Sequence, residues 1–255
     1  MTYQVFIYFY SPLNLVVDIG NTRTKTALYQ GDTLVDLSIH DHYESIFLGD
    51  LIEKSANIIV GSVLNDVDAL LSKLAKLKPC QLFTTQTQIP IQNKYQSISS
   101  LGSDRIAASI GAYYLYPNKN VLVIDAGTCV KYNFTNSNNE YLGGGISPGI
   151  EMRFKALHQL TAKLPLVTFN KNFDELIGNS TENSILSGVI NGTIQEIDGV
   201  INNYKLNFPN LICVLTGGDA EYLSNRLKNS IFTHRNLVLK GLNDILNYSI
   251  ETNTL

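Results

Sequence analysis

Two short stretches of this chain repeat one device, and that repetition constrains the fold more than any other feature. "LVVDIGNTRTKTALY" is built around Asp18 and "VLVIDAGTCVKYNF" around Asp125. In each, a β-branched run reaches Asp-x-Gly, passes one or two small polar residues and resumes as a second strand-like stretch, which is the pattern of a hairpin with a glycine turn. The segments downstream of the two hairpins are also alike. After the first come an amphipathic helix at "YESIFLGDLIEKS", a buried strand at "NIIVGSV", a helix at "DVDALLSKLAKL", a strand at "CQLFTT" and a helix at "SDRIAASIGAYYLY" that stops before Pro117. After the second come a helix from Pro148, a long helix over about 182–205, the strand "LICVLTGG" and a helix from about 219. Proline suits a first helical turn, where its missing N–H would be unsatisfied anyway. The chain therefore reads as two α/β domains with mixed sheets, 1–117 and 118–255. No low-complexity linker separates them, so they are expected to pack together rather than to be tethered.

Composition narrows the function classes. The 255 residues are 44% hydrophobic and 16% charged, with a net charge of −3, which gives no general pull on nucleic acid or an anionic membrane. The N-terminal "VFIYFY" is too short to span a bilayer and lacks the basic flank of a secretory signal, so it reads as an edge strand or an extension. Cys80, Cys129 and Cys213 are odd in number, far apart and set in or beside apolar runs. They read as reduced packing residues of a cytoplasmic protein. His40 and His42 read as a solvated turn, since no further Cys or His completes a zinc set.

The strand ends carry the chemistry. Asp18 to Thr22, Asp125 to Thr128 and Thr216 to Asp219 each close a strand with small polar residues, and "GGGISPG" from Gly143 to Gly149 leads into a helix whose free N–H groups and dipole favour an anion. Glycine lets amides approach phosphate oxygens, the Thr22 and Thr128 hydroxyls can donate to them, and Lys25 can neutralise charge. Asp18 can hold Mg²⁺ directly or through water, and Asp125 a second cation. The set reads as a phosphate site. No Walker P-loop, no G-x-G-x-x-G after a strand and no G-x-S-x-G elbow occurs.

"LGSDRIAASIGA" sets Asp104 and Arg105 at a helix entrance. On one reading they are a first-turn acid and a surface cation. On the other, the carboxylate accepts a hydroxyl proton while the guanidinium anchors an anionic substrate through two hydrogen bonds. Tyr95 reads either as ordinary packing or as a flank of the same pocket. Thr181 reads either as the N-cap of the long helix, ahead of Glu182, or as a site residue.

Taken together, "DIGNTRTK", "LGSDR", "DAGTC", "GGGISPG" and "TGGDA", in this order and spacing, resemble the type III pantothenate kinases from about Leu15 to the C-terminus. That family belongs to the superfamily of acetate and sugar kinases and actin. The resemblance therefore implies two similar ribonuclease-H-like domains, the actin-like ATPase duplication. It implies ATP-dependent phosphorylation of pantothenate to 4'-phosphopantothenate, the first step of coenzyme A biosynthesis. It further implies that Asp18, Ile19, Gly20, Asn21, Thr22, Arg23, Thr24 and Lys25 wrap the ATP phosphates, and that Thr128 meets ATP. By the same resemblance Asp104 is the general base, and Gly102, Ser103, Asp104 and Arg105 hold pantothenate with Tyr95 and Thr181. Asp125 binds potassium or ammonium, Mg²⁺ accompanies ATP, and the enzyme is a homodimer. Two departures stand out: Cys129 where the family often has Ala or Ser, and fourteen residues ahead of the usual start. Two alternatives remain open, a non-catalytic nucleotide-binding relative and a kinase of another small polar alcohol. Retention of Asp18, Lys25, Asp104, Arg105 and Asp125 together argues against the first, since binding alone needs no base.

Overall fold

The computed structural model describes residues 12–48, 50–64 and 66–255; "VFIYFY", expected as an edge strand or extension, lies outside the described residues. The chain opens with β1 (Leu13–Ile19), β2 (Thr24–Gln30), β3 (Thr33–His40), α1 (Leu51–Lys54), β4 (Asn57–Ser62), α2 (Asp68–Ala75) and β5 (Cys80–Leu82). It continues with β6 (Gln92–Asn93), α3 (Ser103–Leu115), β7 (Val121–Ala126), β8 (Cys129–Thr135), β9 (Glu140–Gly143), β10 (Ile146–Pro148) and α4 (Ile150–Gln159). It ends with α5 (Thr181–Asn207), β11 (Ile212–Thr216), α6 (Ala220–Ser224), β12 (Phe232–Thr233) and α7 (Leu237–Glu251).

These strands form two mixed sheets flanked by helices, an α/β architecture. The first sheet runs β3-β2-β1-β4-β5, antiparallel across β3, β2 and β1 and parallel across β1, β4 and β5. The second runs β12-β11-β7-β8-β9-β6, with β10 paired to β8. Its stretch β9-β8-β7-β11-β12 repeats the first sheet strand for strand and in the same directions. In both, the first strand of an Asp-x-Gly hairpin is central and its parallel neighbour arrives by a crossover. Such strands are covered on both faces and so read as unbroken apolar runs. Leu15, Val16 and Val17 on β1 and Ile58, Ile59 and Val60 on β4 have 0% exposure. Each such side chain contributes about 1.5–3 kcal/mol of burial before its entropy cost. On the second sheet, Ile190, Ile194, Ile197 and Ile201 recur every three to four residues along α5 and join Leu122, Ile124 and Leu215 in one core.

Contacts gather the residues up to Pro90, Gly102–Ala107 and Val238–Leu255 into one unit, and Ile91–Leu101 with Ala108–Leu237 into the other. This grouping differs from a single cut after Pro117. The sequence reading contains no element beyond α6, yet α7 belongs to the first unit. Its Leu242 packs on Gly61 so closely that a Cβ there would lie 2.9 Å from Leu242 Cδ1. Asn243 accepts a hydrogen bond from Asn14 Nδ2 at 3.0 Å and donates to the Gly31 carbonyl at 2.9 Å.

Four local expectations are corrected. "YESIFLGDLIEKS" is a 3-10 turn over Tyr43–Leu48 and the short α1 rather than one helix; Asp50, a weak helix former, is the N-cap of α1. Pro148 is not in a first helical turn but ends β10, where it pairs with Cys129, and Gly149 is the N-cap of α4. The N-cap of α5 is Ser180, whose hydroxyl accepts the Asn183 N–H at 3.2 Å, so Thr181 is the first helical residue. His40 is the last residue of β3 and lies 2.9 Å, ring nitrogen to oxygen, from Thr26 Oγ1 rather than in a solvated turn. Cys213 is buried, whereas Cys80 and Cys129 are half-buried.

Candidate active site

In the first unit, Ile19 and Thr24 pair across β1 and β2 and leave Gly20–Arg23 as a turn, closed by the Gly20 N–H on the Arg23 carbonyl at 3.0 Å. Asn21, Thr22 and Arg23 are exposed, and Asp18 is partly exposed one residue before the end of its strand. Ile19 and Thr24 are only 1% and 3% exposed. Their side chains are therefore withdrawn into the core, where they anchor the turn, and only their backbones remain available to a phosphate. Lys25 stands directly opposite Asp18 on β2.

The entrance of α3 is built around Gly102. A Cβ there would lie 2.6 Å from Asp104 Oδ1, so only glycine leaves room for the carboxylate to fold back and accept the Arg105 N–H at 2.9 Å. The Ser103 hydroxyl is spent on the Ser62 carbonyl at 2.9 Å, which ties this entrance to the end of β4. Asp104 sits in the first helical turn, where the helix dipole favours its negative charge. Arg105 is 5% exposed and is not the surface cation of the simpler reading. A buried, fixed guanidinium is suited to anchoring an anion.

In the second unit three glycine motifs converge on one turn. Asp125 stands one residue before the end of β7, and Gly127 and Thr128 connect β7 to β8. On one side Gly217, at φ +97°, lies so near that a Cβ would sit 2.2 Å from the Ala126 carbonyl oxygen and 2.6 Å from Asp125 Oδ1. On the other side a Cβ on Gly149 would sit 2.0 Å from the Gly127 carbonyl oxygen. Two hydrogen bonds fasten these approaches, Asp219 N–H to Ala126 O at 3.0 Å and Gly149 N–H to Thr128 O at 3.1 Å. The amides of "GGGISPG" are thus not all free for an anion, since Gly145 also donates to the Tyr132 carbonyl. Thr128 itself is exposed. Burial raises the Asp219 carboxyl above its ordinary pKa, with the Lys171 charge opposing.

Asp125 has a partner that sequence reasoning missed. Lys131, directly opposite on β8, brings its Nζ to 2.7 Å from Asp125 Oδ2. The signal was available in the first hairpin, where Lys25 stands across from Asp18 in the same manner. Tyr95 lies over Gly143, whose φ of +99° and closeness to the ring, 2.8 Å from a notional Cβ to Cδ2, both call for glycine. The Tyr95 and Tyr141 rings are 6.2 Å apart. Thr181 is exposed and lines an open groove of about 1160 Å³, along with Met152, Leu157 and Val189. Among the described residues no group of three or more His, Cys, Asp or Glu is placed to hold a metal.

The type III pantothenate kinase family profile matches residues 14–203. The chain belongs to that family. A type III pantothenate kinase from Flavobacterium johnsoniae is 41% identical over 241 residues, covering 93% of this chain and 98% of the relative. One from Christiangramia forsetii is 45% identical over 244 residues, covering 93% and 99%. Among solved structures, a conserved Baf family protein from Campylobacter jejuni superposes with a TM-score of 0.64 at 22% identity, over 93% of this chain and 99% of the other. A glucokinase from an Antarctic psychrotroph gives 0.54 at 12% identity, over 93% and 99%. At these identities the structural likeness speaks to fold alone. It places this type III pantothenate kinase family chain among actin-like ATPase folds.

Proposed function

We propose a division of labour among these residues for the family's reaction, which is the reaction of this chain: ATP-dependent phosphorylation of pantothenate, the first step of coenzyme A biosynthesis. The acceptor is the terminal hydroxyl of pantothenate and the product 4'-phosphopantothenate. The turn from Asp18 to Lys25 receives phosphates through the polar groups of Asn21, Thr22 and Arg23, while Ile19, Gly20 and Thr24 set the course of its backbone. Lys25 offsets their charge, and Thr128 contacts ATP. Asp104 takes the hydroxyl proton and orients the oxygen in line. Phosphoryl transfer leaves a protein little to do beyond such positioning and charge compensation. Arg105 reads the pantothenate carboxylate, while Gly102 and Ser103 shape its loop; Tyr95 and Thr181 are further substrate contacts.

Asp18 suits Mg²⁺, which takes hard oxygen ligands and is ordinarily held by one or two carboxylates together with substrate phosphates rather than by a protein cage. When bound, the ion supplies charge neutralisation of the phosphates. The potassium or ammonium ion expected at Asp125 does not fit the residues present, because Lys131 already holds that carboxylate. A homodimer is the assembly that the family resemblance implies. A cytoplasmic setting accords with free thiols and with the lack of any described helix long and apolar enough to cross a membrane.

The observation that carries this reading is the clasp on Ala126–Thr128, where two glycines press against a turn that leaves the Thr128 side chain outward. The test couples ADP release to a panel of acceptor alcohols and compares Asp104→Asn with the parent. Pantothenate should be the preferred acceptor, and the variant should lose about 100-fold or more in kcat while still binding ATP. Wild-type turnover by the variant would overturn the base assignment, and preference for a sugar would overturn the acceptor.

A further inference from the structure

We propose that Lys131 is a built-in monovalent cation: its ammonium occupies the position at Asp125 that a free potassium or ammonium ion would take, and makes turnover by this chain independent of such ions. The proposal rests on the kinase reading and concerns the same site.

The geometry begins with register. Asp125 and Lys131 are directly opposed on antiparallel β7 and β8, and the lysine stem carries Nζ to 2.7 Å from Oδ2. Directly opposed side chains on such a pair start about 4.5–5.5 Å apart at Cβ, so the contact arises from strand pairing and needs no unusual conformation. The carboxylate is 14% exposed and the ammonium 20%, which shields the pair from much of the solvent screening that weakens surface ion pairs. The other oxygen, Oδ1, lies beside Gly217, where a notional Cβ would stand 2.6 Å from it. A free alkali ion needs several oxygens converging on one point, and here one of the two carboxylate oxygens is already held by an ammonium.

The chemistry requires a positive charge at that point. Asp125 lies two residues from Gly127 and three from Thr128, so an uncompensated carboxylate would repel a polyphosphate held at that turn. A potassium ion and an alkylammonium have the same charge and similar size, and either offsets the repulsion. The tethered form cannot dissociate and costs no binding entropy during each assembly of the site. The first hairpin carries the same opposed pair, Asp18 and Lys25, so the second lysine has a counterpart within the duplicated plan.

The experiment measures pantothenate-dependent ADP formation by the full chain in buffers whose only added monovalent cation is choline, sodium, potassium or ammonium. Wild-type rates should agree within about twofold in all four. Lys131→Met, which keeps the stem and removes the charge, should fall about tenfold or more in choline and sodium and recover with saturating potassium or ammonium. Wild-type activation of tenfold or more by potassium overturns the proposal, as does a folded Lys131→Met that is active in choline or is rescued by neither ion. Anomalous diffraction from thallium(I)-soaked crystals decides the point without turnover. A thallium peak on Asp125 in the wild type refutes the proposal, whereas none in the wild type and one in Lys131→Met supports it. An enzyme inactive on pantothenate in every salt would instead count against the acceptor assignment, leaving the thallium result to judge Lys131.

Discussion

Gly149→Ala isolates the part played by close backbone approach. At φ −72° the N-cap of α4 has an ordinary conformation, so alanine introduces no dihedral strain. What it introduces is overlap, for the new Cβ would lie 2.0 Å from Gly127 O, 2.7 Å from Thr128 O and 2.9 Å from Thr128 C. All three are backbone atoms, so no side chain can swing away, and the turn must move by about 1 Å. A misplacement of that size at a reacting assembly costs about 100-fold, so kcat/KM for ATP should fall by about that factor. The displaced Gly149 N–H to Thr128 O bond should lower stability by about 1 kcal/mol as well. The control is Gly192→Ala, at an exposed position of α5 with nothing within 4 Å of the added carbon. It should gain about 0.5–1 kcal/mol because alanine has less backbone freedom to lose in a helix interior. Initial rates over an ATP titration and urea unfolding of both variants give the comparison. Wild-type kcat/KM for Gly149→Ala would refute the argument that glycine is there to let the two backbones touch.

Two further sets of variants probe a helix cap and a buried acid. Ser180→Ala removes the N-cap of α5 and should cost about 1 kcal/mol in urea unfolding, whereas Thr181→Ala should change stability by less than about 0.5 kcal/mol and act instead on the pantothenate KM. Asp244 is 3% exposed, and its burial pushes its carboxyl up to about 6 despite Lys240 at 2.8 Å. The folded chain therefore keeps a proton that the unfolded chain releases near pH 4, and this group's contribution is greatest below that pH and is lost as pH rises to about 6. Relative to wild type, Asp244→Asn should flatten the fall in unfolding free energy between pH 4 and 6 by at most roughly 3 kcal/mol; identical slopes would contradict this.

The hairpins are legible in the sequence because the physics that makes them is local. A central strand covered on both faces must be an unbroken apolar run, and a chain that then reverses must spend glycine and small polar residues. Leu15–Val17 and Leu122–Ile124 carry that signal without help from distant residues. The long α5 is legible for the same reason, since its buried isoleucines repeat at helical spacing. Pro148 misleads because its place is set by a partner some twenty residues away: β10 exists only through pairing with Cys129–Lys131, and Gly149 caps the helix because it must press on Gly127. Arg105 is similarly ambiguous in sequence, where burial is invisible. The absence of α7 from the sequence reading is an omission rather than an ambiguity, for Leu239, Leu242, Ile245 and Leu246 give the helical period plainly.

The two hairpins share a plan yet divide the work by the length of their turns. The first leaves four residues, Gly20–Arg23, between its strands, held by one backbone hydrogen bond with its three polar side chains outward. The second leaves two, Gly127 and Thr128, gripped from both sides by Gly149 and Gly217. A longer, lightly fastened turn can fit itself around phosphates, whereas a short, clasped one presents its hydroxyl in a fixed place and loses little freedom on binding. Each turn has a lysine behind it: Lys25 stands opposite Asp18 on β2, and Lys131 opposite Asp125 on β8 with its ammonium on that carboxylate. Duplication thus supplied two copies of one strand-and-turn device, and the glycines packed against the second copy made it the fixed member of the pair.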